Sequence, residues 1–136
     1  MIYPMFAMVL LTFILGGITV YTRVKHVNAG NVRLRSFLLM DGDFPKAIVK
    51  TTRSFNNQFE LPILFYVALL LCIAMQLPTD IVLIVLAWAF VLLRYIHAFV
   101  HITLNHLLAR LLIFWLGFFV LMALWLKVFL LIHAMS

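Results

Sequence analysis

The sequence predicts an all-α integral membrane protein, a bundle of four transmembrane helices in a single domain over residues 1–136. Composition is the first reason: 67% of the residues are apolar and only 10% charged, against roughly half and a quarter in soluble domains. Mean hydropathy, at +1.19, is the second. The third is four apolar runs, each near the roughly 20 residues needed to cross about 30 Å of hydrocarbon at about 1.5 Å per residue. A chain this apolar cannot coat a water-soluble globule with polar surface. That excludes soluble enzymes, disordered tails and nucleic-acid-binding modules, so the net charge of +6 needs another account. Cys72 is the single cysteine, which excludes an internal disulfide and any CxxC redox or zinc site.

The spans are expected at about 2–22, 55–77, 81–103 and 110–132, with a first connection over about 23–45. Span one carries no charge, span two holds Glu60, span three Arg94 and span four Lys127. Leu, Ile, Val and Phe run without period-2 alternation, so the spans are helices rather than barrel strands. The first run has no basic residue before it and no small-x-small cleavage pattern, which reads as a retained span rather than a leader. Asn28-Ala29-Gly30-Asn31 and Asp41-Gly42-Asp43 are turn signals, and Asp80 is a plausible N-cap for the third span. The second helix is expected to start before the membrane, near Phe44 or Pro45. Gly16-Gly17 permits close helix packing, and Lys127 is expected to snorkel outward.

Basic residues set the orientation. Arg23, Lys25, Arg33, Arg35, Lys46, Lys50 and Arg53 cluster in the first connection and the start of the second helix, opposed only by Asp41 and Asp43. The connection around Gln76–Asp80 has no basic residue. The positive-inside rule therefore puts the first and third connections in the cytoplasm and both termini on the other side. The charge is a topology signal, aided by anionic headgroups, and not a nucleic-acid site.

Ionisable groups within a span are costly and mark function or a partner. In the second helix Lys46, Lys50, Arg53, Asn57 and Glu60 follow spacings of four, three, four and three, one stripe along one face. In the third, Arg94, His97, His101 and Asn105 follow spacings of three, four and four. At helical rise Glu60 lies roughly 24 Å and Arg94 roughly 20 Å from the outer boundary. Similar depth predicts a Glu60–Arg94 ion pair, within or between subunits, that relieves both desolvation costs. The bland reading is a structural bridge. The sharper one is a polar recess open to the cytoplasm, in which arginines grip carboxylates and Glu60 takes an ammonium. His97 and His101, four apart, are weighed as metal or haem ligands; the remaining histidines, His26, His106 and His133, are poorly placed to help. Hydrogen bonding or cavity lining is the preferred role, and no metal or haem is expected.

The run Arg53-Ser-Phe-Asn-Asn57-Gln-Phe-Glu60-Leu-Pro62 resembles the helix-2 signature of the MAPEG family, membrane-associated proteins in eicosanoid and glutathione metabolism. Arg94-Tyr95-Ile-His97-Ala-Phe-Val-His101, followed by Asn105 and Arg110, is similar to the helix-3 region of bacterial members. The resemblance spans nearly the whole chain and implies a homotrimer in a bacterial inner membrane. It also implies glutathione as co-substrate, bound between subunits near the cytoplasmic face. It places Arg53, Asn57, Glu60, Tyr95, Arg33 and Arg35 in glutathione binding. Arg94, Arg110 and His106 are then the candidates for lowering the thiol pKa, so that a thiolate attacks a lipophilic electrophile or a lipid hydroperoxide. The partners expected are membrane lipid, a lipophilic small molecule and further copies of the chain, with no nucleic acid.

Three positions depart from the eicosanoid-forming relatives. An arginine three residues before the helix-3 tyrosine is Leu92 here, the tyrosine after the helix-2 glutamate is Leu61, and a second helix-3 tyrosine is Phe99. These substitutions support an alternative, a non-catalytic protein on the same scaffold that binds lipid or serves as an accessory subunit of a larger membrane complex.

Overall fold

The computed structural model describes residues 1–38, 43–104 and 106–135; Asp41, Gly42 and Asn105 of the expected turn and polar stripe lie outside them. Helix α1 is Ile2–Asn28, α2 Lys46–Asn56, α3 Leu61–Ala74, α4 Ile81–Ile102 and α5 Leu107–His133. The described residues contain no strand. Four helical stretches are long and apolar enough to cross a membrane, α2 and α3 together forming the second, Lys46–Ala74.

Each helix buries one stripe. In α1 it is Pro4, Met8, Leu11, Leu15 and Thr19, and in α5 Gly117, Leu121, Leu124 and Val128. Both repeat at three and four, so one face packs inward while the large apolar residues of the other remain exposed to hydrocarbon. Phe65 of α3 stacks on Phe90 of α4 with ring centroids 4.7 Å apart at the centre of this packing. Cys72 is buried in the same core.

Polar residues fasten the helices at particular levels. Thr19 Oγ1 donates to the Thr51 carbonyl at 3.1 Å, joining α1 to α2. One turn away, Gly16 lets the Phe55 ring approach so closely that an added Cβ would lie 3.3 Å from it, whereas Gly17 faces open space. α1 runs on to Asn28, beyond the length a bilayer requires, and stops where Gly30 adopts a positive φ of 74°. At the other end of the bundle, Asp80 caps α4 by accepting from the Leu83 amide at 2.9 Å and pairs with Lys127 of α5. Lys127, expected only to snorkel, thus ties α5 to the cap of α4.

The second span is not one continuous helix. Its ladder gives way to a 3-10 turn over Asn57–Phe59, and Glu60 adopts φ −103° and ψ −106°. Pro62 is the cause: it has no amide hydrogen to offer the Gln58 carbonyl, and its ring would collide with that oxygen in a regular helix. Proline is well accommodated in the first turn of a new helix, so α3 restarts at Leu61.

Candidate functional site

The break frees backbone carbonyls that a continuous helix would satisfy. Arg94, only 2% exposed, reaches across from α4, and its Nη2 donates to the Asn57 carbonyl at 2.7 Å. Arg94 Nε stays buried with no hydrogen-bond partner. This disposition corrects the expected Glu60–Arg94 ion pair within one chain. Asp80–Lys127 is the ion pair found among the described residues, and Glu60 is exposed. The physical reason is the break: the ladder is interrupted at Glu60, which stays exposed, while Arg94 finds a fixed acceptor in the Asn57 carbonyl.

Arg53, Asn56 and Glu60 are exposed on the single chain, and Asn57 is half-buried. Ser54 of α2 and Gln58 of the 3-10 turn that follows it are buried; Gln58 Nε2 donates to the Ser54 carbonyl at 3.4 Å. Ser54 Oγ and Gln58 Oε1 are buried without a hydrogen-bond partner. On α4, His97 and His101 are buried with ring centroids 5.8 Å apart, and His97 also meets the Phe114 ring. This part of the α2–α4 interface is therefore polar on both sides, although α4 is apolar overall.

Two cavities flank α2. One, of about 630 Å³, is lined by Arg23, Phe44, Ile48, Thr52, Arg53 and Asn56. The other, of about 290 Å³, is lined by Lys46, Val49, Lys50, Arg53, His101 and Arg110. Val49 and Arg53 border both, so they form the wall between the two recesses.

The remaining expected residues take varied positions. The Tyr95 hydroxyl donates to the Ala7 carbonyl of α1 at 2.7 Å, an anchor inside the same chain. His106 caps α5, its Nδ1 accepting from the Ala109 amide at 3.3 Å. Arg33 and Arg35 are exposed at the short 3-10 turn Leu34–Phe37. No three of His, Cys, Asp and Glu gather into a metal-binding group among the described residues.

Arg23 was read only as a topology charge. Its Nη2 donates to Thr52 Oγ1 at 3.1 Å and its guanidinium sits 5.3 Å from the Phe37 ring centroid, which sets it in the wall of the larger cavity. No local pattern announces this, because Thr52 lies 29 residues away.

Comparison with known proteins gives one match: the model of the MAPEG family covers residues 1–130. No curated protein and no solved structure matches the chain.

Proposed function

The chain belongs to the MAPEG family and is an integral membrane protein; from that premise we propose that it binds glutathione at the kinked face of its second span and directs the thiol at lipophilic electrophiles or lipid hydroperoxides. Members of the family generally use glutathione. The observation that carries the proposal is Glu60: a carboxylate exposed on the single chain beside a helix break, at a depth where charge needs a polar partner. Arg53 and Asn57 flank it on the same segment. A second copy of the chain laid against this face would enclose the three, and we take the assembly to be a homotrimer. Orientation follows the basic residues, with the first connection in the cytoplasm and both termini outside, in a bacterial inner membrane.

Each group has a role that its chemistry suits. Arg53 pairs with a glutathione carboxylate, Glu60 with the ammonium, and the Asn57 amide hydrogen-bonds the peptide. Arg94 lies beneath the segment, where its buried charge favours thiolate over thiol while its bond to the Asn57 carbonyl holds the segment's shape. In transfer, the thiol gives up its proton, sulfur bonds to the electrophilic carbon and the leaving group departs. In peroxide reduction, two glutathiones become one disulfide as the hydroperoxide becomes an alcohol and water.

A second reading is a non-catalytic lipid-binding or accessory protein on this scaffold. Leu92 and Phe99 favour it, since both present bare hydrocarbon on the exposed side of α4. One experiment separates the two. Glutathione should raise the thermal unfolding temperature of the detergent-solubilised protein, as any ligand of the native state must, and Arg53→Ala should abolish the rise. Conjugation of a chloronitrobenzene electrophile then reports transfer. Thermal protection without turnover keeps the glutathione site and removes the transfer chemistry, and absence of both removes the site and selects the second reading.

A further inference from the structure

The smaller cavity beside α2 is lined by Lys46, Lys50, Arg53 and Arg110 and, among the described residues, by no carboxylate. His101 completes the lining; it is 1% exposed, and neither ring nitrogen has a hydrogen-bond partner among the described residues. Three elements build the space: the start of α2, the end of α4 and the first turn of α5. We propose that this cavity is a phosphate-binding site within the single chain, beside the Asn57–Glu60 segment and sharing only Arg53 with the proposed glutathione site.

The charge arrangement favours that ligand. Four cationic side chains around about 290 Å³ repel one another, and an anion of more than one charge relieves several of those repulsions together. Lys46 and Arg53 are exposed and able to turn outward, but His101 is enclosed and cannot take its ring to water. A phosphate oxygen would accept from its ring N–H. Lys50 is held at the mouth by its Nζ, which donates to the Thr103 carbonyl at 3.4 Å. The helix dipole adds to the attraction, because Arg110 stands in the first turn of α5, whose N-terminus favours an anion. A zwitterionic tripeptide is poorly matched, since its ammonium would meet only cations.

The phosphate could belong to a lipid headgroup or be free inorganic phosphate, and the two are separable. The full-length protein in a zwitterionic detergent is titrated with sodium phosphate, with dihexanoyl phosphatidic acid and with dihexanoyl phosphatidylcholine, all at matched ionic strength, while thermal unfolding is followed. A rise with phosphatidic acid alone identifies a lipid headgroup; a rise with both phosphate species identifies phosphate itself. In either case the rise falls at least twofold in Lys46→Gln, an exposed position that folding does not need. His101→Phe removes both unpartnered nitrogens and should fold with undiminished stability yet lose the rise. The proposal is overturned if neither phosphate species raises the unfolding temperature beyond phosphatidylcholine, or if both variants keep the full rise. It is equally overturned if Lys46→Gln weakens glutathione protection as much as phosphate protection, because the cavity would then be the glutathione site.

Discussion

Arg94 Nη2 and the Asn57 carbonyl, 2.7 Å apart, join α4 to the point where the second span loses its helical ladder. A charged donor on a buried carbonyl serves two purposes here. It satisfies an acceptor freed where the ladder breaks ahead of Pro62, and it fixes the path of the chain between Asn57 and Glu60. The candidate glutathione face thus depends on Arg94 for its shape as well as for the charge beneath it.

Arg94→Met keeps most of the buried volume and removes the donor. Leaving the Asn57 carbonyl unpaired should cost about 1–3 kcal/mol. In a Pro62→Ala background the helix can close its own bonds, so the same substitution should cost less. Thermal unfolding of the four proteins in detergent measures the coupling; strict additivity would mean that the kink and the arginine are unrelated.

Asp80 and Lys127 give the end of the bundle where α4 begins a pH dependence. The Lys127 ammonium, followed by the Leu83 amide, holds the Asp80 carboxyl below its ordinary range. A depressed folded-state pKa contributes stability that is present above the unfolded value, about 3.9, and is lost as pH falls through the folded one. The unfolding temperature should therefore drop below about pH 4, and more shallowly in Asp80→Asn. Salt should shrink the difference, because the pair is partly exposed.

Adjacent glycines in α1 should respond differently to alanine. Gly17→Ala meets nothing within 4 Å and should gain about 0.5–1 kcal/mol from helix propensity alone. Gly16→Ala must move the Phe55 ring by a few tenths of an ångström, so its gain should be smaller or absent. Leucine at Gly16 should separate α1 from α2 at a cost of about 1–3 kcal/mol, read from the same unfolding curves.

Glu60→Gln keeps shape and removes charge. If the carboxylate takes the glutathione ammonium, affinity should fall by about 1.5–3 kcal/mol, the worth of a hydrogen bond to a charged group. The effect should appear in the glutathione concentration that gives half-maximal thermal protection. An unchanged midpoint would remove Glu60 from the site.

Part of the site was legible before any coordinates. The spacing of Arg53, Asn57 and Glu60 marked one face of the second span, and the structure leaves Arg53 and Glu60 exposed and Asn57 half-buried on that segment. What spacing could not foresee was the break between Asn57 and Glu60, although Pro62 stood in plain view. Helical periodicity assumes an unbroken ladder, and Glu60 sits where that ladder is interrupted. The histidines of α4 were read as hydrogen-bonding groups or a cavity lining; His101 borders a cavity whose other walls come from α2 and α5.

Composition and run length by themselves determined the class of protein, the four spans and the concentration of charge at one end. Those properties follow from transfer free energies summed along the chain, and each residue contributes whatever its neighbours in space. Only the tertiary structure decided which polar groups meet. Arg94 bonds a carbonyl 37 residues away, Arg23 a hydroxyl 29 residues away and Tyr95 a carbonyl 88 residues away. Such pairings depend on the rotation and register of whole helices, which packing sets, and sequence spacing within one helix carries no record of them.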